Sequence, residues 1–131
     1  MLAGRVSDAE LRALYEQALC VAFPSTTEGF GLPPVEAMRV GCPAIVAPCG
    51  ALPEVCGDAA AYVDAQSPDA WIEAILDLAE DRSTWLRRSR AGEARASEFT
   101  WRRSGERLLQ VLENAGVLSG LAKPQLQPLA A

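Results

Sequence analysis

Two five-residue apolar runs constrain this chain more than anything else in it. Leu19-Cys20-Val21-Ala22-Phe23 stops at Pro24, and Pro43-Ala44-Ile45-Val46-Ala47 stops before Pro48. Short apolar runs that do not alternate with polar residues predict strands buried on both faces, as in a parallel sheet. A weaker third strand is predicted at Ala60-Ala61-Tyr62-Val63. Helical signals surround them. Ser7-Asp8-Ala9-Glu10 has the form of a capping box, and Leu11, Leu14, Tyr15 and Ala18 follow at helical spacing, predicting a helix over about 8–18. Pro34 suits a first helical position, with a short helix over Val35–Val40 closed by Gly41. One further turn is predicted at Pro53–Cys56.

From Ser67 onward the chain reads as helical. Ser67 caps a helix with Pro68 in its first turn and an apolar face of Trp71, Ile72, Ile75, Leu76 and Ala79. An arginine-rich helix is predicted over about 82–97, and Thr100 caps a third from Trp101 to about Ala115, ended by Gly116. Residues 117–131 hold two prolines and no clear period, and are expected to be a flexible tail. The order is an α/β alternation with a parallel sheet of about three strands, flanking helices and a helical C-terminal region. A doubly wound domain usually has about five or six strands, so the chain is expected to be the rear portion of a nucleotide-binding domain. With 131 residues, one domain is expected, spanning 1–116 ahead of the tail.

Composition removes several chemistries. There is no histidine, which excludes His general bases, Ser–His and Cys–His nucleophile pairs, and His-containing zinc sites. Cys20, Cys42, Cys49 and Cys56 form no C-x-x-C pair and are expected to be free thiols serving as small apolar side chains. No metal site is expected. The net charge of −5 is uneven: residues 1–81 carry 3 basic and 13 acidic side chains, and residues 82–107 carry 8 arginines against 3 glutamates. A globally acidic chain is a poor nucleic-acid binder. The arginine stretch reads as a solvated helix face, with attraction of phosphates or anionic lipid as the alternative. The N-terminus has no apolar segment of the signal-peptide type and no run reaches the ~18 residues of a membrane span. A cytoplasmic place is expected, with a peripheral one at the inner face of the membrane as the alternative.

The loop after the first strand carries the chemistry. Ligands of open parallel sheets bind at the carboxyl ends of strands, and Glu28-Gly29-Phe30-Gly31 lies there. Glycines let a ligand approach the main chain, and the amides of the loop and the next helix suit phosphate or sugar hydroxyls. Glu28 and Glu36 bracket the segment with seven residues between them. Carboxylates accept paired hydrogen bonds from vicinal hydroxyls, which suits a sugar or a ribose. Taken singly, each glutamate also fits a cap or loop position, and each glycine a turn.

Pro24-Ser25, Glu28-Gly29-Phe30-Gly31-Leu32-Pro33, Glu36-Ala37-Met38, Gly41-Cys42-Pro43 and Leu52-Pro53-Glu54-Val55-x-Gly57-Asp58 together resemble the family 4 (group 1) glycosyltransferases, retaining enzymes of the two-domain GT-B fold. The likeness runs from about Val6 to Trp101, where Phe99-Thr100-Trp101 is similar to the aromatic pair near that family's last helix. The resemblance implies a sugar transferred from a nucleoside diphosphate to a saccharide or lipid-linked hydroxyl acceptor with retained configuration. It implies that Glu36 binds the ribose hydroxyls, and that Glu28 acts catalytically by positioning and charge stabilisation at the donor sugar. It also implies that the amides of Gly29, Phe30, Gly31 and Leu32 hold the sugar and phosphate side, and that Ser25 supports the loop. No cofactor is implied, since the nucleotide sugar is a substrate. The pattern is similar to that of enzymes using GDP-mannose.

The family's acceptor-binding N-terminal domain and its Arg/Lys pair for the diphosphate have no counterpart in these residues. They would have to come in cis or on another chain, and the 131 residues alone are expected to be inactive. The competing readings are a non-catalytic nucleotide-binding or interaction module and a nucleotide-binding regulator. Trp101, Leu108, Leu109, Leu112 and Ala115 form an apolar stripe expected to be exposed or covered by a second copy of the chain. The alternative packs it on the Trp71–Ala79 face.

Overall fold

A computed structural model describes residues 4–117. Helix α1 (Asp8–Gln17) precedes strand β1 (Val21–Phe23). Helix α2 (Leu32–Arg39) leads to β2 (Ala44–Val46). Helix α3 (Leu52–Cys56) and a 3-10 turn at Gly57–Ala59 lead to β3 (Ala61–Tyr62). Helices α4 (Pro68–Glu80), α5 (Arg82–Ala96) and α6 (Trp101–Asn114) complete the described chain. The α/β class and the three strands are those expected. The sheet has the order β1-β2-β3 and is parallel throughout, with Ala22 opposite Ile45 and Val46 opposite Tyr62.

The capping box forms: the Ser7 amide donates to Glu10 Oε2 at 2.8 Å, and the Glu10 amide donates to Ser7 Oγ at 3.4 Å. That amide bond draws the Glu10 carboxyl below its usual range. Only β2 is buried on both faces, since all three of its residues are covered although successive side chains point to opposite faces. The expectation of a fully buried first strand is corrected. β1 is at the edge of the sheet and its Ala22 is exposed.

On α4 the packed stripe is also rotated from the expected one. Trp71 and Leu78 are buried against Ile45, Ala47 and Val63, and Ala74 and Ile75 pack beside them, while Ile72 and Leu76 are exposed. The sequence supplied an apolar face wider than the sheet covers, and the strands chose part of it. Ser67 stands at the N-cap of α4 without a side-chain capping bond.

The arginine-rich α5 is a strut. Trp85 Nε1 donates to Leu19 O at 2.7 Å, Arg88 donates to Asp58 O and Ala60 O at 3.0 and 2.9 Å, and Arg95 Nε donates to Val55 O at 2.9 Å. Two of the arginines therefore satisfy loop and helix-end carbonyls instead of simply facing solvent, which corrects the reading of the stretch as a solvated face. Arg39 of α2 returns the bond to Ala96 O at 3.2 Å. At its N-terminus, α5 is capped by Asp81. Hydrogen bonds from Thr84 and Ser83 hold that carboxyl well below the usual range.

All four cysteines are free thiols. Burial pushes the thiols of Cys20 and Cys56 up and that of Cys42 to about 11, with the neighbouring Cys20 adding to the last. The chain divides into two compact units, the first over Met1–Glu98 and the second beginning at Phe99, so the span 1–116 expected as one domain contains a boundary. In the second unit, α6 buries none of its residues; Leu108 is 59% exposed, and Leu109 and Leu112 are half-buried. The expected tail lies outside the described residues except for Val117, which is exposed. No helix among the described residues is long and apolar enough to cross a membrane.

Candidate functional site

The site is built at the carboxyl ends of β1 and β2, where two loops meet. Beyond Phe23, residues 24–31 form the first loop, and beyond Val46, residues 47–51 form the second. The Ala47 amide donates to Phe23 O at 3.2 Å, carrying the ladder to the point where the chains leave the sheet. Past that point the loops stay joined. Cys49 Sγ donates to Ser25 O at 3.0 Å, and the Ala51 amide donates to Glu28 O at 3.2 Å. Ser25 Oγ donates to Thr27 O at 2.9 Å, closing a short turn ahead of Glu28.

Glu28 is half-buried, Gly29 is exposed, and Phe30 is 40% exposed. Gly31 is buried and caps α2 in the left-handed conformation, φ +88°, which an L side chain seldom adopts. Leu32 opens the helix with 59% of its surface exposed. The helix thus begins three residues before the expected Val35, and Glu36 falls in its second turn instead of its first. Pro33 and Pro34 occupy the second and third helical positions and have no amide hydrogen. The first turn of α2 therefore offers an anion few amide donors. The helix ends as expected at Gly41: its amide donates to Met38 O and that of Cys42 to Ala37 O, both at 3.0 Å.

Glu36 is exposed on α2, and its charge reaches the Tyr15 phenol of α1. Burial first, then Glu36 and Cys42, push that phenol above its ordinary value, so Tyr15 stays neutral with a polar tip. Helical spacing alone presents Tyr15 as a packing residue of the first helix. The second loop, Cys49 to Ala51, carries no functional motif in the sequence either. Its one signal is position, a glycine just past the end of a buried strand whose neighbour leads into the loop of Glu28. Among the described residues no group of three or more Cys, Asp or Glu could hold a metal ion.

Comparisons with known proteins show the family. Residues 1–97 match the family described as Glycosyl transferases group 1. The chain is 40% identical over 98 residues to O-antigen chain mannosyltransferase B of Escherichia coli, covering 75% of this chain and 26% of that protein. It is 36% identical over 111 residues to D-inositol 3-phosphate glycosyltransferase of Corynebacterium diphtheriae, covering 83% of this chain and 26% of that one. The chain thus spans about a quarter of the length of these relatives. Among solved structures, sucrose-phosphate synthase from Thermosynechococcus elongatus superimposes with a TM-score of 0.79 at 24% identity, over 89% of this chain and 30% of that one. That likeness concerns the fold, and it is the partial Rossmann-like GT-B arrangement expected from the motifs. With the family matched over most of its length and the motif-bearing loops at the carboxyl edge of a parallel sheet, the chain belongs to the group 1 glycosyltransferases.

Proposed function

We propose that the chain supplies the nucleotide-sugar-binding part of a retaining glycosyltransferase. The observation that supports this most is the placement of Glu28 and Glu36. Glu28 lies in the glycine-rich loop at the end of β1, where open parallel sheets take ligands, and Glu36 is exposed on the helix that this loop leads into. In this reading Glu36 accepts hydrogen bonds from the ribose hydroxyls. The amides of Gly29, Phe30, Gly31 and Leu32 hold the sugar and phosphate side, Ser25 supports the loop, and Glu28 stabilises charge that develops at the anomeric carbon. The bond from that carbon to the diphosphate oxygen breaks, and the electron pair leaves with the diphosphate. The acceptor oxygen then bonds to the same face, and its proton leaves with the diphosphate or to water. Basic groups for the diphosphate come from the rest of the donor domain and the acceptor site from a further domain, in cis or on another chain, so the 131 residues alone transfer no sugar. The mannosyltransferase relative supports mannose as the sugar, and the loop pattern, similar to that of enzymes using GDP-mannose, makes GDP-mannose the donor in this reading.

Calorimetry tests the assignment with the chain joined to the rest of the donor domain and an acceptor-binding domain. Glu36→Ala is expected to weaken nucleoside diphosphate binding by about 1.5–3 kcal/mol, the value of hydrogen bonds to a charged acceptor. Glu28→Ala is expected to lower turnover more than donor affinity. Unchanged affinity in Glu36→Ala removes the ribose assignment. Nucleotide binding without transfer under any pairing would favour the non-catalytic module instead, and transfer by the purified chain alone would refute its dependence on a further domain.

A further inference from the structure

Four consecutive residues of the second loop and α3 touch the first loop at three points. Cys49 holds the Ser25 carbonyl, Gly50 and Ala51 meet the main chain of Glu28, and Leu52 lies against Gly31. Two of these meetings exist only because a glycine has no side chain. A Cβ on Gly31 would overlap Cδ2 of Leu52, a fully buried residue. A Cβ on Gly50 would fall onto the Glu28 carbonyl oxygen and lie 2.9 and 3.0 Å from the Glu28 nitrogen and carbonyl carbon. These are backbone atoms, which cannot swing aside as a side-chain end can. Gly50 also has φ +51°, which a side chain would strain.

We propose that Cys49–Leu52 is a template that sets the main-chain position of Glu28, with Gly50 as its positioning residue. This rests on the reading of Glu28 as the group at the reacting sugar. The Glu28 carbonyl is fixed by the Ala51 amide, and its peptide is walled in by Gly50. A side chain at position 50 must part the two loops and so shift the peptide of Glu28 relative to Gly50. The carboxylate is carried on that peptide, and its starting point moves with it. Misplacement of a reacting group by about 1 Å can lower turnover about 10²-fold.

The test compares Gly50→Ala with Gly57→Ala. Gly57 has a similar φ of +53° but its Cβ would meet only Arg95, at an ordinary 3.7 Å. Both variants strain the backbone, and only the first presses on Glu28. In the ligand-free chain, Gly50→Ala is expected to shift the amide NMR resonances of Glu28, Gly29 and Phe30, and Gly57→Ala to leave them in place. With the rest of the donor domain and an acceptor-binding domain supplied, Gly50→Ala is expected to lower kcat about 10²-fold and to weaken nucleotide-sugar affinity by a smaller factor, since the loop amides move with Glu28 while Glu36 is on a separate element. Unmoved resonances in Gly50→Ala overturn the template. So does unchanged kcat in Gly50→Ala where Glu28→Ala abolishes transfer. If Glu28→Ala itself leaves transfer intact, the functional reading falls, and the NMR comparison still decides the template. Should Gly50→Ala not fold, Cys49→Ala removes the bond to Ser25 O and Cys49→Ser restores a donor. A loss of a few-fold in kcat that serine repairs supports the template, and equal kcat in all three forms overturns it.

Discussion

Helices α2 and α6 differ most in what surrounds them. α2 has eight residues and buries Pro34, Val35, Ala37 and Met38; α6 has 14 and buries none. What separates them is approach. Gly92 of α5 has no side chain, and a Cβ there would stand 3.0 Å from Cγ of Met38. The backbone of α5 therefore comes close enough to α2 to enclose Met38 completely. The leucines of α6 form a better apolar stripe, and none of its residues is buried. Burial belongs to the pair of surfaces, and a stripe is only half of one.

The comparison can be broken most directly at Met38. Met38→Ala is expected to lower the unfolding free energy by about 2–5 kcal/mol, since it leaves a cavity in a closed packing site. A loss under about 1 kcal/mol in urea titration would show that α5 does not enclose it. Gly92→Ala sharpens the point. An overpacking loss of about 1–3 kcal/mol opposes a helix-propensity gain of about 1 kcal/mol, so the variant should be slightly destabilised. In the Met38→Ala background the clash disappears and the same change should stabilise. Equal effects in both backgrounds would refute close contact between Gly92 and Met38.

A smaller effect concerns pH. Cys42 follows the end of α2, and its thiol is pushed up to about 11 in the folded chain. An unfolded thiol ionises near about 8.5. Between these values the folded state holds the proton and the unfolded state loses it, so stability falls as pH rises from about 8.5 to about 11. Stability measured across this window should fall less in Cys42→Ala than in the parent, and identical slopes would count against the burial of that thiol. The smallest change is expected in α6. Leu108→Ala should leave unfolding within about 0.5 kcal/mol, as for an exposed residue. Light scattering of Leu108→Glu beside the parent then asks whether a second copy covers the stripe: a fall in mass would say that it does, and a monomeric parent would say that it does not.

The features legible in the sequence were those written in local patterns. The Ser7–Glu10 box, the three strands and the stop of α2 at Gly41 each rest on a few adjacent residues whose chemistry permits little else. The positions of Glu28 and Glu36 were legible as spacing, and their loop was legible because strand, glycines and proline fall in order. What escaped was set across the chain. The arginines of α5 read as surface charge because their partners, the carbonyls of Val55, Asp58 and Ala60, are backbone groups that no sequence displays. The start of α2 was placed late because Leu32 and Pro33 read as loop, although a proline pair is compatible with a first turn. Gly50 was invisible for a different reason. Its contribution is the absence of an atom, and it matters only because Glu28 is folded against it.

The proline pair at the start of α2 has a thermodynamic consequence. Pro33 and Pro34 fix two φ angles just past the Glu28–Gly31 loop even in the unfolded chain. The loop therefore has fewer shapes to lose, and much of its ordering is complete before any ligand arrives. Binding to such a loop should carry a small entropic penalty. Replacing both prolines by alanine would transfer that penalty to the binding step, where calorimetry would read it as a less favourable entropy at nearly constant enthalpy.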